Sequence, residues 1–581
     1  MTPVLALRGR LIAAAAALFV AAGMIHRDAW PLVALGFAVA AALASAYVWF
    51  YPTAIYLRRH KVELAWWVPP GDQPGGALTA GVPFALHVAL RNRGERALRV
   101  LATRIHASSA IQVPAELAVR VEPGWEVEVS AQLRADAVGH WTLHGALILI
   151  GDALGLFEVR AYFPSPIRLK VFPKMAAPRA EQALLRPQVG ALHERVGVHT
   201  MPRRGLMGDL REIRDHAHGD PFKFIAWKAT ARRRRLMVRE LESEIVVTHQ
   251  LLVDMAATLR GGAPGQARLD WSIETATALA RAALEGGDRV GLCTFDTRLY
   301  GQLKPGEGRP HFLKVLDRLI EMKTVVDADL TELTDGELVA AVARYLVHQE
   351  GVDLRLARPP AANDPAWARV AAGPAGELYD LGALGDLVAN LLRARPRPGP
   401  AGAASTTTAS LLAVPSAPSA GAMRAVARPE LERLRAFCRA RGIELPYRQS
   451  VDPGARAEGL AEALERAAAG ERSQLVVLIS DLEGVLDDPA AVRRGIHLLR
   501  RRHHHLVAIV PPLPDLLSAR RTAAGAEVAR ILAGDDQRRL DAARRELARL
   551  GVPAALAEPN ESPDAVVRRL LRARGAARRR G

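Results

Sequence analysis

Hydrophobic positions change rhythm three times along the chain, and each rhythm predicts a different kind of element. The first is continuous. Leu11 to Ile25 is an uncharged Ala/Leu-rich run preceded by Arg8 and Arg10, and after the polar break His26-Arg27-Asp28 a second run extends from Ala29 to about Leu57. A transmembrane helix needs about 20 apolar residues. The second run supplies them; the first does so if its Pro3–Leu7 flank contributes. Trp30, Trp49, Phe50, Tyr51 and Tyr56 sit near the ends of the second run, as interfacial anchors do, and Arg58, Arg59, His60 and Lys61 put its C-terminal end in the cytoplasm. Residues 1–61 therefore read as a two-helix transmembrane hairpin. The rival for the first run is a cleaved signal peptide, with Ala21-Ala22-Gly23 resembling a cleavage site. Both readings leave the later domains cytoplasmic, on a protein of the cell inner membrane.

The second rhythm has period two. Val62, Leu64, Trp66 and Val68 alternate with less apolar neighbours, as do Phe84, Leu86, Val88 and Leu90, and later Leu117, Val119 and Val121 before a Pro123-Gly124 turn. Short alternating strands between Gly and Pro turns predict a β-sandwich over residues 62–174, immunoglobulin-like or fibronectin-like. Residues 175–244 are a connector followed by a charged segment.

The third rhythm interleaves buried strands with helices. Ile245–Val253 is an apolar strand running into Asp254, Ser272–Glu285 is helical, Arg289–Phe295 is a second core strand, and His311–Met322 and Gly336–Gln349 are helical. Later, Leu475–Ile479 is a strand ending at Ser480-Asp481, followed by the helix Ala491–Arg501, the strand Leu506–Val510, the helix Gln537–Leu550, the edge strand Val552–Leu556 and the helix Pro563–Arg572. This predicts an α/β domain over 245–581, three layers around a mostly parallel sheet. Residues 351–429 interrupt it as a poorly ordered insertion: Val352, Leu354 and Leu356 offer one short strand, Leu378–Leu392 some helical periodicity, and Arg393–Gly421 is rich in Pro, Ala, Ser and Thr.

Composition adds two points. Cys293 and Cys438 are the only cysteines, so there is no disulfide framework and the soluble part suits a reducing compartment. The net charge of +17 rests on arginine, which is abundant throughout, and a membrane surface explains it more cheaply than a nucleic acid.

Chemistry concentrates from Arg203 to Thr258, where charged and aromatic residues are too densely mixed for a buried element. Gly205, Gly208, Ile213, Arg214, Gly219, Asp220, Ile225, Trp227, Ala229, Thr230, Ala231 and Arg232 follow the signature of the bacterial DUF58 family, which this chain resembles. Ala226 stands where that signature has Asp, and Lys223 where it has Arg. Asp152-Ala153-Leu154-Gly155-Leu156-Phe157 and Val171-Phe172-Pro173 resemble the family too, although the first also reads as a Gly turn with a Phe anchoring the sandwich.

The resemblance implies that the C-terminal half is similar to a von Willebrand factor A domain. Such domains hold a divalent cation above the sheet through an Asp-x-Ser-x-Ser loop, a Thr from another loop and an Asp after a later strand. Carried over, this makes Asp254, Thr258 and Asp481 the candidate metal ligands, with Thr331 or Thr334 as the additional threonine. Hard oxygen donors suit Mg2+ or Mn2+. Ala256 has no oxygen to offer, so the site is degenerate and a water would have to fill the gap. The resemblance also implies partners: a MoxR-type AAA+ ATPase and a transglutaminase-like membrane protein.

The reading is a membrane-anchored adaptor or assembly scaffold rather than an enzyme. It would work through the top face of the A-like domain, with Arg211, Arg214, Asp220, Lys223, Trp227 and Arg232 as an interaction surface. One alternative is a hydrolase or transferase in which His216 or His218 is a base oriented by Asp215 or Asp220. No nucleophile lies nearby, and no Walker A, His-Glu-x-x-His or Gly-x-Ser-x-Gly motif occurs. The other alternative is anionic lipid or nucleic acid on Arg232–Arg235, without any nucleic-acid motif to support the latter. His503-His504-His505 enters a strand, whose alternating faces keep three rings from converging on one metal.

Overall fold

The computed structural model describes residues 3–25, 29–58, 62–69, 78–93, 95, 98–113, 117–121, 125–174, 200–218, 220, 222–244, 247–325, 330–361, 364, 367, 369–393, 429–448, 454–470, 473–513, 523–558, 561 and 565–566. The turn at Pro123-Gly124, most of the connector, the strand start at Ile245, most of the Pro/Ala/Ser/Thr-rich loop and most of the last helix lie outside the described residues. Two compact units divide the chain: Met1–Ala177 with Lys323–Arg448, and Pro178–Met322 with Gln449–Gly581.

In the first unit, α1 (Leu7–Ile25) and α2 (Trp30–Arg58) are both long and apolar enough to cross a membrane. They meet through small residues. A Cβ on Gly23 would lie 2.5 Å from Val33 Cγ2, and one on Gly36 2.8 Å from the Ala16 carbonyl oxygen, so larger residues would part the helices. Leu7, Leu11, Leu18, Phe37 and Trp49 point outward, an apolar surface of the kind lipid covers.

Behind them lie two sheets. One has the order Val4–Leu5, Phe157–Phe172, Gly139–Gly151, Leu98–Ala107, Leu117–Val121, with Leu78–Thr79 paired to Phe157–Phe172. The other runs Val62–Trp67, Pro83–Asn92, Glu126–Ala135, Ile111–Gln112. All pairings are antiparallel except that of Leu78–Thr79. Val62 and Leu90 of one sheet share a core with Leu98, Val100, Ile148, Ile150 and Val159 of the other. Of the alternating positions, Val62, Leu64 and Leu90 face this core, and Trp66, Phe84, Leu86 and Val88 are buried as well.

The described residues between Lys323 and Arg448 add a helical layer to the same unit. Helices Asp335–Tyr345, Leu381–Arg393 and Pro429–Arg441 enclose Leu338, Val342, Leu384, Val388, Leu434 and Phe437. The layer is tied to the sandwich where Glu444 accepts from the Ser109 amide at 3.0 Å and its hydroxyl at 2.7 Å. Val352–Leu356, expected as a strand, makes only an isolated bridge from Arg355 to Tyr379.

The second unit is built on one six-stranded sheet in the order Leu299–Gly306, Arg289–Phe295, Thr248–Asp254, Gln474–Ile479, His505–Val510, Ala554–Leu556. Every pairing is parallel except that of the edge strand Leu299–Gly306. The central strands Thr248–Asp254 and Gln474–Ile479 are buried along their whole length, as strands covered on both faces must be. Leu252, Val476 and Leu478 pack with Leu464, Ile496 and Leu547 of the flanking helices. Two elements were invisible in the hydrophobic pattern. Leu299–Gly306 mixes polar and apolar residues at a sheet edge, and the helix Ala455–Ala468 buries mostly alanine, which an Ala-rich chain does not set apart. The charged segment forms an antiparallel ribbon, Thr200–Asp215 with Met237–Glu244, enclosing the short helix Trp227–Arg233.

Candidate functional site

From Thr248–Asp254 the sheet grows outward through Arg289–Phe295 to Leu299–Gly306, then resumes on the other side with Gln474–Ile479. That reversal is a topological switch point, where open α/β sheets leave a crevice at the carboxyl ends of their strands. Val253 pairs with Ile479, so Asp254 and Ser480-Asp481 emerge side by side. Asp254 Oδ1 accepts from the Ala256 amide at 2.9 Å, turning the chain into the short helix Ala257–Arg260, and Oδ2 accepts from the Ser480 hydroxyl at 2.7 Å. Asp481 accepts from the Glu483 amide at 3.1 Å and from the Thr258 hydroxyl. Between Ser480 and Glu483, Leu482 sits at φ 66°, a left-handed conformation that costs a branched residue about 1 kcal/mol or more. Full burial of its side chain and the bond from its amide to Ser480 Oγ (3.0 Å) hold it there.

A guanidinium fills the centre. Arg456 Nη2 lies 2.7 Å from Asp481 and 3.2 Å from Asp254, while Nη1 lies 2.8 Å from Glu483. The Asp254 and Asp481 side chains are each 3% exposed and Arg456 11%. Arg456 comes from the first turn of Ala455–Ala468, an end at which the helix dipole disfavours a cation. The carboxylates outweigh that cost. Two glycines let its backbone come this close: a Cβ on Gly459 would lie 2.1 Å from the Asp296 carbonyl oxygen, and one on Gly484 would lie 3.1 Å from that of Arg456.

Burial pushes the Asp254 carboxyl up to about 7, with Asp481 and Asp296 adding to the rise and Arg456 and Ser480 opposing it. Burial would raise Asp481 as well, but Arg456, Arg268 and Thr258 outweigh it and hold that carboxyl below its ordinary value. Arg456 shows the reverse balance: desolvation lowers it, and its three carboxylate partners more than compensate.

Asp254, Thr258 and Asp481 are the residues that the resemblance nominates as cation ligands, and as a donor set they fit a cation poorly. Ala256 presents a buried methyl, the Thr258 hydroxyl donates to Asp481, and Arg456 lies against both aspartates. Among the described residues, no group of three or more His, Cys, Asp and Glu is arranged to hold a metal. Thr331 and Thr334 belong to the first unit and are engaged there. Thr331 donates to the Pro446 carbonyl at 2.8 Å, and Thr334 caps Asp335–Tyr345 in a box with Glu337.

In the ribbon segment, Arg214 grips Asp220 through two bonds of 2.8 Å, and Asp220 also accepts from the Ala217 amide at 2.9 Å. Asp220 thus shapes a turn and is Arg214's partner, while the His216 ring lies 6.3 Å from that of Phe222 and His218 is exposed. The Thr230 hydroxyl accepts from the Met237 amide at 3.0 Å, a structural bond. Arg211 lies in the strand Thr200–Asp215, and Lys223 Nζ sits 4.9 Å over the Phe224 ring. Phe222 and Trp227 are 75% and 65% exposed, with Lys228 and Arg232–Arg235 exposed around them. At the C-terminal histidines, His504 is buried and His505 exposed, so the rings diverge.

Sequence reasoning located Asp254, Thr258 and Asp481 and missed Arg456. Its helix carried no readable pattern, and one arginine among many carries no mark. Glu483, two residues after Asp481, was the visible hint that more than one acid needed a counterion.

Residues 212–344 match the family model described as "Protein of unknown function DUF58", so a domain of that family is present. No curated protein matches the chain. Solved structures with local similarity include native alpha-2-macroglobulin from Escherichia coli, at 18% identity over 19% of this chain and 16% of that chain with a TM-score of 0.16. A FixG-related protein from Vibrio parahaemolyticus matches at 13% identity over 19% of this chain and 96% of that one, with a TM-score of 0.14.

Proposed function

We propose that this protein is a membrane-anchored adaptor whose von Willebrand A-like unit presents its strand-end face to a partner protein. The observation that carries the reading is the closed ion network. Asp254 and Asp481, nearly fully buried, are committed to Arg456, Ser480, Thr258 and backbone amides, so they hold the strand-end loops of the face in one arrangement from beneath. The ribbon supports it as well, since Asp220 is spent on Arg214 instead of orienting a histidine.

Anchoring by a retained hairpin is supported at both of its ends. Val4–Leu5 pairs with Phe157–Glu158 and the Ala6 amide donates to the Leu156 carbonyl at 2.9 Å, while α2 buries Phe50 in the sandwich core and sets Tyr47 5.6 Å from the Phe157 ring. A cleaved first helix would forfeit the first set of contacts. The soluble units would then lie on the cytoplasmic side of the inner membrane, as the Arg58–Lys61 cluster favours. A MoxR-type AAA+ ATPase is the partner of choice, with a transglutaminase-like membrane protein as a second. In pull-down of such an ATPase by the detergent-solubilised full chain, Asp254→Ala/Asp481→Ala should lose capture while retaining its circular dichroism spectrum. Undiminished capture would refute the strand-end face.

A further inference from the structure

We infer that the Arg456 guanidinium takes the place that a divalent cation occupies in a von Willebrand-type site, so that this face is built to work without metal. Its Nη2 touches both aspartates that such an ion would bridge, at 2.7 and 3.2 Å, and Nη1 reaches Glu483 at 2.8 Å. A Mg2+ or Ca2+ ion binds its oxygens at about 2.0–2.6 Å. It would have to share Asp254 and Asp481 with a guanidinium already in contact with them, two cations a few ångströms apart in a buried site.

The other ligand positions agree. Ala256 is 1% exposed, and its side chain offers neither an oxygen nor a polar partner for a water in its place. The Thr258 hydroxyl proton is directed at Asp481. The arrangement is also sterically specified: Gly459 and Gly484 remove the side chains that would hold the Arg456 backbone away. The missing oxygen ligand and the buried cation are thus complementary features of the same pocket. Where the adaptor reading holds, on which this consequence alone rests, partner capture through the face is indifferent to chelators.

The test needs no partner, so its failure is separable from failure of the adaptor reading. The full chain in detergent is titrated with Mn2+ alone, by calorimetry and by melting temperature, as wild type, Arg456→Gln and Arg456→Gln/Asp254→Asn. The wild type should show no saturable uptake and no change in Tm. Arg456→Gln should melt several degrees lower and regain part of the loss in millimolar Mn2+. The double variant, with one carboxylate fewer to neutralise, should melt above the single one. If Arg456→Gln does not fold, recovery of a cooperative transition in the double variant supports the inference, and a double variant that also fails to fold overturns it. Saturable uptake by the wild type that Asp481→Asn abolishes would overturn it. So would an Arg456→Gln form that melts like the wild type, or one that is destabilised and insensitive to Mn2+.

Discussion

Asp254 shows how one residue's surroundings become a property of the whole fold. Its carboxyl rises from 3.8 to about 7 on folding because burial outweighs the pull of Arg456. Between those values the native state holds a proton that the unfolded chain has released, so this group makes stability fall as pH rises from about 4 to 7. Asp481, lowered in the fold, acts oppositely: its contribution is present above the ordinary carboxylate range and is lost as pH falls through its folded value. Asp254→Asn should therefore flatten the decline between about pH 4 and 7, by up to a few kcal/mol, in urea denaturation followed across that range. A slope equal to the wild type's would remove Asp254 as its source. Gly459 is the other decisive position. Gly459→Ala would press a methyl onto the Asp296 carbonyl and displace the turn that carries Arg456, costing about 1–3 kcal/mol. A melting temperature unchanged from the wild type would show that the helix shifts freely.

At the scale of elements, legibility follows from how much each segment's burial depends on large apolar side chains. Thr248–Asp254 and Arg289–Phe295 announce themselves because they are central and carry the apolar runs Leu251–Val253 and Val290–Cys293; Leu299–Gly306 does not, because an edge strand tolerates polar residues. The helix Ala455–Ala468 buries Ala457, Ala461, Ala463 and Ala467 around only Leu460 and Leu464, and small residues give close approach without a hydrophobic signal. The short helix Trp227–Arg233 carries its own lesson. Ala226, where the signature that this sequence resembles has Asp, holds the N-cap position and makes no side-chain cap bond. Ala226→Asp should supply an acceptor for the first-turn amides and stabilise the second unit by about 0.5–2 kcal/mol. A loss of stability in chemical denaturation would mean that burying the new carboxylate costs more than the cap returns.

For the molecule as a whole, the order of parts was readable: two apolar runs, an alternating β region, then strands interleaved with helices. The grouping was not. The helix Asp335–Tyr345 carries periodicity like that of the α/β region, yet it packs with Leu381–Arg393 and Pro429–Arg441 in the sandwich's unit, because periodicity reports that a face is buried and not which partner buries it. The same limit applied to the site. Two carboxylates at strand ends can be placed by topology, but the cation that neutralises them comes from a turn of helix about 25 residues before Asp481, joined to it only by folding.

The proposal that this polar face is a docking surface is tested most directly by the affinity of the full-length protein for a purified MoxR-type ATPase, measured in chelator. The comparison form is Asp254→Asn/Asp481→Asn/Arg456→Gln, which removes the network's charges with little change in volume. The account predicts that the wild type binds as well in chelator as in Mg2+, and that the triple variant, still folded by circular dichroism, binds at least about tenfold more weakly, or about 1.4 kcal/mol. Equal affinity for the two forms would contradict it.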